Sequence, residues 1–271
     1  MPHVTSKDGT RIGYDMAGSG PAVILVAGAT QYRAIDRNIT PALQRLLARQ
    51  FTVINFDRRG RGESGDTLPY EGAREVEDIA ALIEMAGGEA YLFGMSSGAV
   101  LALEAAAAMP RQVKAVALYE PPIDPSRTSQ SYRDEHEKMA RLAAEGRGSD
   151  MLSDFLSGVG MGPETLAGFK ASPAWPAFAA VGLTLEHDYR LLADARSSDR
   201  PPERWQNAIM PVLILDGDQS FSFMGPGADW VAGGLHNAQR VTLAGQGHEY
   251  DPEKLAPLLT VFFERGSVQV H

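Results

Sequence analysis

Ala90-Tyr91-Leu92-Phe93-Gly94-Met95-Ser96-Ser97-Gly98-Ala99-Val100-Leu101 is the stretch on which the fold turns. Four residues of strand character run into Gly94-Met95-Ser96-Ser97-Gly98, a G-x-S-x-G pattern. An apolar helical period follows from Ser97 to Met109 and is closed by Pro110. Between strand and helix the chain must reverse sharply, and glycines are needed there because side chains would collide with the neighbouring strand and helix. Such a turn holds a serine hydroxyl clear of the backbone at the carboxyl edge of a sheet, beside a helix N-terminus. A plain glycine–serine turn gives the same letters. The strand before and the helix after favour Ser96 as a nucleophile.

Outward from this point, short apolar runs alternate with helical periods. Arg11 to Ala17, Ala22 to Val26, Phe51 to Phe56 and Val113 to Tyr119 read as strands. Ala22 to Val26 is a continuous apolar run, as expected of a parallel strand buried on both faces. Pro41 to Gln50 and Arg74 to Met85 read as helices, the second carrying an apolar stripe at Val76, Ile79, Leu82 and Ile83. This alternation predicts right-handed βαβ units on a parallel sheet. From about Pro121 to Ala208 only helical patterns occur: Ser131 to Glu145, Met151 to Val159, Glu164 to Ala171 and Pro176 to Ala195. Strands resume at Pro211 to Leu215 and Gln239 to Leu243, with helices at Ala228 to Leu235 and Pro252 to Arg265. The prediction is an α/β core over residues 1–120 and 209–271, interrupted by a helical cap over residues 121–208.

Composition removes several function classes. The 271 residues carry a formal net charge of -9, the wrong sign for a nucleic-acid or anionic-membrane partner. With no cysteine, disulfides and thiolate chemistry are excluded. The start, Met1-Pro2-His3-Val4-Thr5, lacks the charged-then-apolar pattern of a signal peptide, so a cytoplasmic protein is expected. No ligand cluster or phosphate-cradling glycine loop calls for a metal or an organic cofactor. The expected partner is a small-molecule substrate, with a homodimer left open.

Asp57-Arg58-Arg59-Gly60-Arg61-Gly62-Glu63-Ser64 resembles the D-x-R-G-x-G-x-S loop of the α/β-hydrolase superfamily. Together with the serine turn, this likeness extends over nearly the whole chain. It implies a mostly parallel sheet flanked by helices, with a helical cap inserted after the sixth core strand. In the family this loop is chiefly structural: its glycines permit the turn and its aspartate caps backbone donors. The family's catalytic histidine lies after the last strand, where Gly245-Gln246-Gly247-His248 stands here. The resemblance thus makes His248 the base for Ser96. For most of the other histidines (His3, His136, His187, His236 and His271) a solvated side chain is expected. The oxyanion loop should follow Val26. Ala27-Gly28-Ala29 replaces the family's usual His-Gly-x, leaving the backbone N–H groups of Ala29 and Ser97 as donors and Gly28 as the bend toward substrate.

The third member of the triad stays open at this point. The family's usual acid position, at the end of G-x-x-D, falls on Ser220 in Gly217-Asp218-Gln219-Ser220. Some members, haloalkane dehalogenases among them, place the acid after the sixth strand, and Glu120 occupies that position before Pro121-Pro122. Glu120 and Asp218 are the two candidates, Glu120 the preferred one. Met151, Phe155, Met161, Phe169, Trp175, Phe178 and Tyr189 populate the cap, with Phe155 and Trp175 singled out as substrate contacts. The resulting expectation is hydrolysis of an ester or thioester of a small, mainly apolar substrate through an acyl-enzyme on Ser96. Perhydrolysis, C–C bond hydrolysis, a cyclase step or a slow-turnover binding protein are the alternatives on the same site.

Overall fold

A computed structural model describes residues 2–269. Eight strands form one sheet in the order β1-β2-β4-β3-β5-β6-β7-β8. They are β1 (His3–Thr5), β2 (Arg11–Ala17), β3 (Ala22–Val26), β4 (Thr52–Phe56), β5 (Ala90–Met95), β6 (Val113–Tyr119), β7 (Val212–Gly217) and β8 (Ala238–Leu243). Only the β1–β2 and β2–β4 pairings are antiparallel; the remaining pairs run parallel. Strand order reverses between β3 and β5, so the crevice at their carboxyl ends is where an open α/β sheet receives a ligand. The loop after Val26 and the turn at Ser96 both lie there.

The period of two along each strand splits the core into two layers. Ile24, Val26, Ile54, Leu92, Val116, Leu118 and Ile214 pack on one face against α2 (Gly72–Met85) and α3 (Ser97–Ala108). Val23, Leu25, Val53, Phe93, Ala117, Leu213 and Leu215 pack on the other, against α1 (Ile39–Leu47) and a last helix at Pro252–Arg265. Because both faces are covered, β3 and β7 are buried along their whole length. Their apolar runs follow from that.

Between β6 and β7 come α4 (Ser129–Ala144), α5 (Gly148–Gly158), α6 (Pro163–Lys170), α7 (Trp175–Ala179) and α8 (Leu185–Ala195). They gather around a small core of Met139, Met151, Leu152 and Leu185. The pattern Pro176 to Ala195 predicted one helix, whereas the structure breaks it into α7, a 3₁₀ turn at Gly182–Thr184 and α8. The cause is close packing: a Cβ on Gly182 would lie 2.0 Å from the Gly148 carbonyl oxygen, so two backbones touch where the helix would have continued. After β7 the chain forms α9 (Met224–Ala232), earlier than expected, and after β8 it forms α10, the helix at Pro252–Arg265. No described helix is long and apolar enough to cross a membrane.

Candidate active site

The turn between β5 and α3 is shaped by contacts that only glycine permits. A Cβ on Gly94 would stand 2.3 Å from the Gly98 carbonyl oxygen, and one on Gly98 would stand 2.3 Å from that of Val26. Between them Ser96 adopts φ 54 and ψ -129, a conformation that costs a non-glycine residue on the order of 1–3 kcal/mol. Its N–H donates to the Tyr119 carbonyl at 2.9 Å, which ties the strained residue to β6. The side chain is left on the wall of a cavity of about 690 Å³, shared with His248, Gly28, Ala29 and Ser97.

At the end of β6 a second non-glycine residue, Glu120, takes a positive φ of 48. It is fully buried, yet each carboxylate oxygen has a partner. Oε1 accepts from the Gly217 N–H at 2.9 Å; Oε2 accepts from the Ser220 hydroxyl at 2.7 Å and stands 2.6 Å from His248 Nδ1. Against a carboxylate that nitrogen carries the proton, which leaves Nε2 with the free lone pair in the neutral ring. The Tyr119 hydroxyl donates to the Gly247 carbonyl at 2.5 Å, fixing the approach of the histidine loop. Asp218 takes a different place. It is exposed and accepts from the Gly245 N–H at 2.7 Å, so it braces the loop that leads to His248 without touching the ring. Of the two candidate acids, the structure brings Glu120 to His248 and leaves Asp218 aside. Ser220 lends Glu120 a hydroxyl from the position where the resemblance implied an acid.

The loop after β3 is held from two sides. Gly28 N–H donates to its own loop's Gln31 side chain at 2.8 Å, and a Cβ on Gly28 would come within 3.0 Å of the Ser96 Cβ. Ser97 opens α3, so its N–H has no intrahelical acceptor. Beneath this lies a buried charge network that the sequence did not disclose. Arg58 forks onto Glu75 through Nε at 2.7 Å and Nη2 at 2.6 Å, and its Nη1 reaches Asp188 at 2.7 Å. Arg61 reaches the other Asp188 oxygen at 2.5 Å, the Thr184 hydroxyl at 3.0 Å and the Gly28 carbonyl at 2.6 Å. The Ser97 hydroxyl donates to Asp188 at 2.7 Å.

Electrostatics follow from this crowding. Burial alone would push the Glu75 carboxyl up, but Arg58, with Arg61 behind it, holds it at about 2. Burial opposes the Arg58 charge, yet Glu75 and Asp188 raise its pKa well above the ordinary value. Arg61 is pulled down by burial and by Arg58, against the pull of Asp188, and an arginine stays charged all the same. The expected role of Asp57 as a cap on backbone donors has its counterpart here: it accepts from the Arg33 and Glu63 N–H groups at 2.8 and 2.9 Å.

Phe155 and Gly28 line the cavity, joined by Phe178, Tyr189 and Leu192 from the cap and by Phe221 and Phe223 from the loop after β7. Phe221 lies edge-on to His248, ring centres 5.6 Å apart. Trp175 is corrected: it stands outside the cavity lining, packed edge-to-face on Phe169 at 5.3 Å under the Lys170 ammonium. Helical spacing placed it on the right element but could not tell the cavity side from the side facing α6. His187, expected to be solvated, is buried and stacked on Tyr70 at 3.8 Å; His271 lies outside the described residues. Among the described residues no group of three or more His, Asp or Glu stands together as a metal site.

Comparison with known proteins bears on this arrangement. A sequence model of the alpha/beta hydrolase family matches residues 23–258. The crystal structure of an alpha/beta hydrolase from Sphaerobacter thermophilus DSM 20745 superposes with a TM-score of 0.81 at 41% identity, over 97% of this chain and 100% of that one. Among curated proteins, the uncharacterized hydrolase YraK of Bacillus subtilis is 34% identical over 117 residues, 42% of each chain. The 2-(acetamidomethylene)succinate hydrolase of Mesorhizobium japonicum is 40% identical over 101 residues, 36% of this chain and 35% of its own. The matches thus span about two fifths or less of the length of these curated relatives.

Proposed function

The chain belongs to the alpha/beta hydrolase family, and from that premise we propose that it is a serine hydrolase cleaving an ester or thioester of a small, mainly apolar substrate. The observation that carries this reading is the pairing of His248 Nδ1 with the buried Glu120 carboxylate at 2.6 Å, in a cavity whose wall also holds the strained Ser96. A carboxylate so placed fixes the imidazole tautomer and stabilises the imidazolium formed on proton uptake.

In the proposed cycle the Ser96 oxygen attacks the substrate carbonyl and its proton passes to His248 Nε2. The carbonyl oxygen gains the negative charge and is held by the N–H groups of Ala29 and Ser97, each worth about 2.7–4 kcal/mol to the transition state. His248 then gives its proton to the leaving alcohol or thiol, and an acyl-enzyme remains on Ser96. Water loses a proton to His248, attacks the acyl carbon, and the acid leaves with the serine restored.

The cavity wall supports an uncharged substrate. Several of its charged groups are already engaged: Arg127 with Glu135 at 2.9 Å, Asp188 with two arginines, and Asp36 with the first N–H groups of α1. Among the described residues Arg37 bonds only the Ala34 carbonyl, at 3.1 Å, so a dicarboxylate such as the Mesorhizobium relative's name describes would meet one cation without a carboxylate partner where it needs two. Treatment with a fluorophosphonate, followed by turnover of p-nitrophenyl esters of increasing acyl length, tests the reading. Covalent labelling at Ser96 with turnover of the short esters is expected. Labelling without turnover would instead point to a binding protein, and no labelling would remove Ser96 as nucleophile.

A further inference from the structure

The buried arginine at position 61 has a partner that structural needs alone do not account for. Its Nη1 donates at 2.6 Å to the carbonyl oxygen of Gly28, a buried contact, and the Gln31 N–H approaches the same oxygen only at 3.4 Å. That carbonyl belongs to the peptide unit whose other end is the Ala29 N–H. The Gly28–Ala29 bond is trans, so its C=O and N–H point in opposite directions. Fixing the oxygen on a guanidinium therefore aims the N–H the other way, toward the cavity that Ala29 lines. The same charge draws electron density toward the oxygen and makes the N–H a stronger donor.

Three further contacts keep the guanidinium from turning. Nε donates to the Thr184 hydroxyl at 3.0 Å, Nη2 donates to Asp188 at 2.5 Å, and Nη1 also reaches the Gln31 carbonyl at 3.5 Å. Asp188 comes from α8 of the cap and accepts from the Ser97 hydroxyl with its other oxygen, at 2.7 Å. Arg58 Nη1 donates to that hydroxyl and to the Ala27 carbonyl, both at 3.3 Å. One side chain of the cap thus holds Ser97 directly and, through Arg61, the peptide that carries the Ala29 N–H.

We propose that Arg61, locked by Asp188 of the cap helix, is a positioning residue for the oxyanion hole, setting the direction and donor strength of the Ala29 N–H. The inference rests on the serine-hydrolase reading above. Arg61 touches no substrate and acts through the peptide it holds. Its loss is a loss of transition-state stabilisation with ground-state binding nearly unchanged.

The test uses Arg61→Lys and Arg61→Gln in the full chain with p-nitrophenyl acetate as substrate. Two competitive ligands are added: a phenyl-substituted trifluoromethyl ketone, which forms a tetrahedral oxyanion on serine, and its non-fluorinated counterpart, which stays planar. The expected result is a fall in kcat of about 10- to 100-fold, short of the roughly 100- to 1000-fold that follows loss of a whole oxyanion donor, with KM changed less than about threefold. Affinity for the trifluoromethyl ketone falls by a similar factor, and affinity for the planar ketone does not. Arg59→Lys is the control. Arg59 is equally buried two residues away, but it is paired with Asp78 and Asp8 and has no contact with the Gly28 carbonyl. It should lower Tm and leave kcat in place. Should neither Arg61 variant fold, Thr184→Val frees the guanidinium to turn and is expected to lower kcat several-fold at constant KM. Unchanged kcat and ketone affinity in the folded variants overturns the proposal, as does an equal loss in Arg59→Lys. If wild-type protein neither labels with a fluorophosphonate nor hydrolyses the ester, the serine-hydrolase reading fails instead, and the two failures stay distinct.

Discussion

Two clusters of ionisable side chains frame the turn at Ser96, and they are built on opposite principles. Glu120 and His248 form a sparse pair: the carboxylate is sealed from solvent, while the imidazole side chain is 29% exposed and one ring nitrogen is left for the cavity. Arg58, Arg61, Glu75 and Asp188 form a dense one, at most 3% exposed, in which nearly every donor and acceptor already has a partner. Saturated groups can hold others in place, but any new proton or ligand they accept breaks an existing bond. Incompletely satisfied groups beside an open volume can take up either without that loss. The two clusters approach the turn at adjacent residues: Ser97 bonds Asp188 of the dense one, and Ser96 shares a cavity wall with His248 of the sparse one.

Perturbing the sparse cluster should cost activity and spare stability. Ser96→Ala is expected to lower kcat on p-nitrophenyl acetate by on the order of 10⁵–10⁶ and to abolish fluorophosphonate labelling, with Tm nearly unchanged. Labelling at the wild-type rate would place the nucleophile elsewhere. Glu120→Gln follows, with a loss on the order of 10⁴ in kcat, since the amide no longer fixes the ring or stabilises its cation. Asp218→Asn, measured in the same assay, should stay within about twofold because its charge is solvated and makes no bond to the ring. The reverse ranking of these two variants would dissolve the contrast between the clusters.

In the dense cluster, away from the Arg61 contact with the Gly28 carbonyl, the cost should fall mainly on stability. Glu75→Gln leaves two buried guanidinium groups sharing one carboxylate, and is expected to lower stability by about 3–5 kcal/mol in urea unfolding. Its kcat at a temperature where it remains folded should fall far less than that of Glu120→Gln. The smallest effect concerns pH. Burial holds His187 below its ordinary value of 6.5, against the pull of Glu75, Asp66 and Glu186. The unfolded chain takes up this proton at a higher pH than the native state does, so stability declines as pH falls below about 6.5 and levels off once native His187 is also charged. Glu75, depressed from 4.5 to about 2, adds a second loss lower down, as pH falls through that interval. Comparing Tm at about pH 7.5 and about pH 5.5, wild type should lose more than His187→Gln. Equal losses would assign the acid sensitivity to another group.

What could be read from the sequence divides along the same line. The turn at Ser96 was legible because its evidence is local: a strand, five residues and a helix, all consecutive. The aspartate of Asp57-Arg58-Arg59-Gly60 was expected as a cap only through the resemblance of that loop to the family's. The roles of the arginines beside it were not legible, because their partners lie far along the chain, Glu75 at 17 residues and Asp188 at 130, and no periodicity marks a cation for burial. Choosing between Glu120 and Asp218 needed the path of two loops, which short patterns do not contain. Trp175 failed for a related reason: spacing gives the element, and only packing against Phe169 gives the direction. The three-residue strand His3–Thr5 is below the length at which alternation can be seen at all.

Placing the carboxylate at Glu120 also changes what variation the enzyme can tolerate. Where an acid sits after β7, any change in the path of that loop moves the carboxylate with it. Here the stretch from Asp218 to Phe223 supplies a supporting hydroxyl from Ser220 and a brace from Asp218 to the histidine loop, and presents Phe221 and Phe223 to the cavity beside His248. A library randomised at those two aromatics, with Ser220 kept, would reshape the wall nearest the imidazole while leaving the proton path encoded elsewhere in the chain. Lineages and engineers alike would find selectivity there open to revision at little risk to turnover.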